Sequence, residues 1–437
     1  MTAFPEVVSL PSGPAADQSP PRSRHGIPAV LGGDLPVPLA DGRTVTYANL
    51  DYAATAPCLA VVAEAVSELL PWYASVHRGA GAASRRCTRE YEQARETIAD
   101  FLDARADDHV IFTRNTTDAL NLLARALPQG TTVIGWDGEH HANLLPWSRA
   151  IRLPVPADAA EAAGQLEAAL AACSGPALVT VTGASNVTGE IWPIAELAEV
   201  AHAHGARLAV DAAQLAPHRR VSLSASGIDY LAMSGHKAYA PFGAGVLAGR
   251  ADWLDAAPPY LAGGGATAYV GDPGDVRWHH GPARHEAGTP NLIGSVALAT
   301  ACAQLAASDR PALEAAEHGL LTRLRAGLTE LPGVQELRMF GAEHDRVGIV
   351  TFAVAGRQAA EVSAHLAAAH GIGVRDGQFC AHPLARRLLA EAGERAGQPL
   401  GDYAVRASIG IGSTAEHVER LVHGVAELTE PDRPSAG

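Results

Sequence analysis

The stretch Tyr230-Leu-Ala-Met-Ser-Gly-His-Lys237 decides how the rest of the chain is read. Its first four residues form a short apolar run of strand type. Ser234, Gly235 and His236 then turn it polar, and it ends on a lysine. In open α/β sheets, ligands bind at the carboxyl ends of strands. A strand ending this way places polar groups where a ligand would sit. Lys237 is also the single lysine among 437 residues; all other Lys+Arg charge is arginine. Arginine can serve ion pairs and solubility. It cannot replace an amine that forms a Schiff base, because guanidinium stays protonated and is a poor nucleophile. A lone lysine can also be a chance survivor of an Arg-biased composition, so its neighbours must decide.

Outward from this point the same pattern repeats. His109–Thr113, Val133–Trp136, Ala177–Val181, Arg207–Val210 and Gly245–Ala248 read as strands. Ala60–Leu70, Glu90–Leu102, Asp118–Leu127, Asp158–Ala172 and Ile194–His204 have apolar residues at helical spacing. Strands alternating with helices indicate βαβ units and a mostly parallel sheet. Gly263–Gly288 breaks the pattern and reads as loops, with Gly263-Gly264-Gly265 near a site mouth. A Gly run with no following Gly-Lys-Ser/Thr is not a phosphate loop. His279 and His280 read as surface loop residues. A second region starts near residue 300, with strands Val347–Val354 and Ala404–Ile411 and helices Ala359–His370 and Ala415–Leu428. The expected division is a disordered Pro/Ser/Ala-rich tail over 1–30, a large domain over 31–300, and a small domain over 301–437. The N-terminal part of the large domain is expected to pack on the small one.

Composition narrows the function classes. Hydrophobic residues make up 47% and charged residues 18%, a balance that excludes bulk disorder. The net charge of −14 argues against a nucleic-acid binder, which normally carries a basic footprint. No apolar run approaches the ~18 residues of a membrane span. The five cysteines, Cys58, Cys87, Cys173, Cys302 and Cys380, are odd in number and form no CxxC pair. A disulfide framework and a structural zinc site are therefore not expected, and a reducing cytoplasm fits.

Several strand ends carry chemistry. His109–Thr113 runs into Arg114-Asn115-Thr116-Thr117, which opens a helix. Hydroxyls at a helix N-terminus suit a phosphate, and they equally suit plain N-capping. Val133–Trp136 leads to Glu139-His140-His141-Ala-Asn143, and Arg207–Val210 ends at Asp211-Ala-Ala-Gln214. A unique lysine, an acidic strand end and a phosphate cradle each have a role if the cofactor is pyridoxal phosphate. The lysine bonds the cofactor covalently, and the carboxylate keeps the pyridine nitrogen protonated so that the ring draws electrons.

These residues resemble the class V aminotransferase superfamily of fold-type I pyridoxal-phosphate enzymes. The cysteine desulfurase and selenocysteine lyase branch is the nearest. Matching stretches run from Asn49-Leu-Asp-Tyr-Ala-Ala-Thr-Ala-Pro57 to about Leu421. They include Val76–Gly79, Arg114–Asp118, Ser185-Asn186, Arg284–Asn291 and Arg406–Ser408. The resemblance implies a large α/β domain with a mainly parallel seven-stranded sheet and a smaller α+β domain. It implies Lys237 as Schiff-base lysine and proton carrier, Asp211 on the pyridine nitrogen, Gln214 on the phenolic oxygen and His140 stacked on the ring. Thr116, Thr117, Ser234 and His236 would hold the phosphate. Thr289 would reach a phosphate across a homodimer interface. Asn186 would lie near substrate or ring oxygen. Arg406 would bind the substrate carboxylate as a fork; a strand-end ion pair is its plainer reading.

Arg375-Asp376-Gly377-Gln378-Phe379-Cys380-Ala381-His382-Pro383 resembles the desulfurase loop. There a cysteine thiolate takes sulfur from the substrate as a persulfide, leaving alanine. Arg375 supplies positive charge that favours thiolate, and Gly377, Gln378, His382 and Pro383 read as a loop that exposes Cys380. A free cysteine is otherwise a small buried apolar residue, the reading given to Cys58, Cys87, Cys173 and Cys302. The chain departs from the family where Phe379 replaces histidine, where Asp376 replaces threonine, and at Gly412-Ser413-Thr414. An inward Asp376 would raise the thiol pKa.

Three functions follow. The first is a cysteine desulfurase acting on L-cysteine, with a protein or small-thiol sulfur acceptor. The second is a relative with other chemistry, such as a C–S lyase, aminotransferase or epimerase. The third is a silent scaffold, opposed by the complete set Lys237, Asp211, His140 and Arg406. The first and second need Lys237; only the first needs Cys380.

Overall fold

The computed structural model describes residues 27–272 and 274–429. Most of the tail expected over residues 1–30 lies outside that range. Seven strands form the large sheet: β1 (Asp108–Thr113), β2 (Thr132–Trp136), β3 (Ala150–Leu153), β4 (Ala177–Thr182), β5 (Arg207–Asp211), β6 (Tyr230–Ser234) and β7 (Gly245–Arg250). Their spatial order is β1-β7-β6-β5-β4-β2-β3. β7 is antiparallel to both neighbours and the other pairs are parallel. Six strands therefore deliver their carboxyl ends to one edge beside helix-bearing connections.

The burial of these strands explains their composition. β4 (ALVTVT) and β6 (YLAMS) are buried at every residue, as expected for parallel strands covered on both faces. Helices are started by short polar caps. Asn115 accepts from Asp118 N and starts helix Thr116–Ala126; Asp158 accepts from Glu161 N and starts Ala159–Ala171.

A second sheet of four antiparallel strands holds β8 (Val334–Leu337), β9 (Ile349–Val354), β10 (Arg375–Gly377) and β11 (Ala404–Ser408), in the order β8-β9-β11-β10. Its core includes Phe352, Val405, Ala407, Leu421 and Val425. Ala48 and Leu50 join this same core, and Ala48–Asn49 pairs in parallel with Ile372–Gly373. The two layers meet closely at Gly189, where an added Cβ would lie 2.7 Å from Val347 O. Its φ of +77° is also one that glycine adopts without strain.

The structure departs from the sequence reading in five places, for physical reasons. Helix Leu292–Ala307 is apolar on nearly every side, with nine of its 16 residues buried, so no helical stripe marks it. Helix Arg310–Thr329 and edge strand Ala150–Leu153 were also unread; the strand is exposed at three of its four residues. His382 and Pro383, taken as loop, open helix His382–Ala396, because proline suits a first helical turn. Within Gly263–Gly288 the chain forms a hairpin, Thr267–Val270 with Val276–Trp278, rather than loops throughout.

Candidate active site

A cleft of about 350 Å³ opens at the carboxyl edge of the large sheet and is closed on its other side by the small-sheet region. It is lined by Thr116, Thr117, His140, Asn186, Asp211, Gln214, Ser234, His236 and Lys237 from the first, and by Arg375, Phe379, Cys380 and Arg406 from the second. All the proposed site residues except Thr289 therefore converge. Thr289 is exposed and lines a separate cavity with Tyr91, Glu286 and Asn291.

Lys237 lies three residues beyond β6. Gly235 makes that turn possible: an added Cβ would sit 2.9 Å from Ala244 O and 3.0 Å from Ala240 O. Burial pushes the lysine down to about 8, partly opposed by the charge of Asp211. Asp211 ends β5, 4% exposed, with Oδ1 accepting from Ala213 N at 3.0 Å. Burial raises its pKa, and Lys237 pulls the other way. His140 accepts at Nδ1 from Ala142 N at 3.0 Å, so its neutral ring carries hydrogen at Nε2. Burial, then Lys237, pushes it down to about 3. A neutral, flat imidazole is thereby held over the cleft.

On the same wall Thr116 and Ser234 meet through two contacts, Thr116 N to Ser234 Oγ at 2.8 Å and hydroxyl to hydroxyl at 2.7 Å. Thr117 is exposed beside them at the first turn of an 11-residue helix, where backbone N–H groups have no acceptor within the helix. His236 bonds Thr55 Oγ1 at 2.9 Å. Gln214 gives one amide hydrogen to Ala53 O at 2.7 Å and keeps a second. A lysine amine, a buried carboxylate, a flat neutral ring and a hydroxyl-lined helix start are the donor set that pyridoxal phosphate requires. On that chemistry the residues fit the cofactor.

The small-sheet wall is built differently. Phe379 and Cys380 both have φ of +53°, an uncommon conformation for such side chains. The strain is held by clasps to the large sheet: Asn186 Nδ2 donates to Phe379 O at 2.7 Å, and His141 N donates to Cys380 O at 2.7 Å. His141 and His382 add an edge-to-face ring contact at 4.5 Å. Phe379 is buried under the Arg406 guanidinium, 5.0 Å from ring centroid to Cζ. Cys380 remains exposed, whereas Cys87 and Cys302 are buried. Burial pushes the Cys302 thiol up to about 12. Asp376 does not face inward; its Oδ1 accepts from Ser363 Oγ at 2.8 Å on helix Ala359–His370.

Two residues, Asp51 and Glu139, carry structure that sequence reasoning leaves without a role. Asp51 accepts from Arg375 Nη2 at 2.9 Å and from Arg406 Nη2 at 3.4 Å, bracketing two arginines with one carboxylate. Arg406 also donates to Asn186 O at 2.9 Å, while its buried Nε has no partner. Burial pulls Arg406 down to about 10. Glu139 accepts from Asn143 Nδ2 and Thr182 N at 2.7 and 2.9 Å, and burial raises it to about 8. The signal for Asp51 and Glu139 was their place inside the matching motifs. Asn186 lines the cleft, and its Nδ2 also holds the Cys380 loop through Phe379 O.

The class-V aminotransferase family model matches residues 48–421. A cysteine desulfurase of Dickeya dadantii is 35% identical over 401 residues, covering 89% of this chain and 93% of that one. The solved cysteine desulfurase CsdA of Escherichia coli, in its S-sulfonic acid form, superposes with a TM-score of 0.76 at 32% identity, covering 88% and 96%. The apo cysteine desulfurase of Thermococcus onnurineus gives a TM-score of 0.77 at 32% identity, covering 88% and 94%.

Proposed function

The chain belongs to the class-V aminotransferase family, and on that premise we propose that it is a cysteine desulfurase that converts L-cysteine to L-alanine. The cofactor is pyridoxal 5′-phosphate. One observation carries the reading: the exposed thiol of Cys380 shares a cleft with half-buried Lys237 and buried Arg406.

When bound, the cofactor supplies a ring that draws electrons from the substrate's α-carbon. Thr116, Thr117, Ser234 and His236 would hold its phosphate, Asp211 its ring nitrogen, Gln214 its phenolic oxygen and His140 its face. Arg406 and Arg375 orient the substrate carboxylate, displacing the one that Asp51 now offers them. Lys237 Nζ takes the α-proton and returns a proton to the product, which an amine with pKa near 8 can do at physiological pH. Cys380 Sγ, as thiolate, attacks the substrate sulfur. The S–S bond forms as the Cβ–S bond breaks, and the electron pair stays with the carbon frame, which takes up a proton to become alanine. The persulfide on Cys380 then passes its terminal sulfur to a thiol on a small molecule or acceptor protein.

We also infer a homodimer. Thr289 is exposed and absent from the chain's own cleft, so it is free to serve the cleft of a second copy. Beside it, Gly288 N donates to Gly264 O at 2.7 Å, and the nearby hairpin exposes Tyr269 and Val270.

Sulfide and alanine released from L-cysteine with a thiol reductant test the reading. Cys380→Ala should lower release on the order of a hundredfold or more while cofactor absorbance persists. Equal release with pyruvate as product would overturn the persulfide step and favour a C–S lyase.

A further inference from the structure

Away from the cleft, three histidines and one carboxylate converge between helices Ala359–His370 and Ala415–Thr429. His365 Nε2 and His370 Nε2 each lie 3.0 Å from the same oxygen, Glu427 Oε2. His423 Nε2 lies 3.4 Å from Glu427 Oε1, one helical turn away. One donor atom from each of His365, His370 and Glu427 falls within 4.8 Å of the others. Tetrahedral zinc with bonds of about 2.0–2.2 Å separates its ligands by roughly 3.4 Å. The two histidine distances to Glu427 Oε2 need to open by only a few tenths of an ångström to admit such an ion.

The surroundings are shaped for this arrangement. A Cβ at Gly424 would stand 2.8 Å from His370 Cδ2, so the glycine leaves the space its ring fills. Arg420 Nη1 donates to His370 O at 3.2 Å and fixes the helix end. The His370 side chain is 12% exposed and the His423 side chain 71%, leaving a path for an ion from solvent. No member of the group lines the catalytic cleft. Imidazole with carboxylate suits zinc, nickel or copper better than calcium or magnesium.

We propose that His365, His370 and Glu427, with His423 beside them, form a site for a divalent transition-metal ion of the zinc type, tying the two helices together. Sequence spacing hid it, because its halves lie more than fifty residues apart and neither is a recognised ligand motif.

The test uses the cofactor-loaded full chain carrying Cys380→Ala, which removes an exposed thiol that would itself capture zinc. After chelator treatment, Zn²⁺ is titrated by calorimetry and Tm is followed with added Zn²⁺. About one strongly bound equivalent and a rise in Tm are expected. Adding His365→Gln with His370→Gln should weaken binding on the order of tenfold or more and remove the Tm rise, since even outer-shell losses cost that much. Unchanged binding in that variant, or no binding in the parent, overturns the site. If the double variant loses cofactor absorbance through misfolding, Glu427→Gln carries the same expectation.

Discussion

The two walls of the cleft differ in how they are made. The large-sheet wall consists of strand ends: Asp211 closes β5, Ser234 closes β6, and Lys237 follows within one turn. Each is placed by a ladder of parallel strands buried on both faces. The small-sheet wall consists of a strained turn at Phe379 and Cys380, placed by hydrogen bonds reaching across from Asn186 and His141. The first wall is fixed by its own layer. The second is fixed by the meeting of two layers. Reactive groups that must stay still sit on the first, and the group that must receive and hand on an atom sits on the second.

The largest expected effect removes the base of this contrast. Lys237→Arg keeps the charge and loses the nucleophilic amine, so desulfuration should fall by at least about a thousandfold, and borohydride should no longer fix cofactor to the chain. Retained fixation would show that another amine serves. A smaller effect is set by acidity. Only the neutral amine captures the cofactor, and burial holds Lys237 down to about 8. Capture by the cofactor-free protein should therefore rise about tenfold per pH unit below 8 and level off above it, measured by stopped-flow absorbance. A midpoint near the ordinary lysine value would show that the amine is wetter than its wall implies. The smallest effect separates the walls. Asn186→Ala removes one buried hydrogen bond to the Cys380 loop, worth about 1 kcal/mol, or roughly fivefold in sulfide release. Cofactor affinity should hold. A matching loss of cofactor affinity would show that Asn186 supports the cofactor and not only the Cys380 loop.

Legibility in the sequence follows the same divide. The strand-end wall could be read from short apolar runs that turn polar, because the sheet enforces that pattern locally. Lys237, Asp211, His140 and Thr117 were all found this way and all line the cleft. The second wall was legible only in part. Cys380 and Arg406 are legible through the family resemblance of the stretches that hold them, whereas the orientation of Asp376 toward Ser363 depends on a helix brought in by tertiary packing. Asp51 shows the limit best: its partners Arg375 and Arg406 lie more than three hundred residues away, beyond any local pattern. Helix Leu292–Ala307 went unread for the opposite reason, since burial on every side erases the stripe by which helices are recognised.

The solitary, half-buried lysine has a consequence outside chemistry at the cleft. A protease specific for lysine has one cleavage point in this sequence, and it is enclosed between β6 and β7. The folded chain should resist such a protease, and each cut would yield two fragments and mark one opening of the central sheet. The residue that tethers the cofactor thus doubles as an internal clock for unfolding, readable on a gel without any added label.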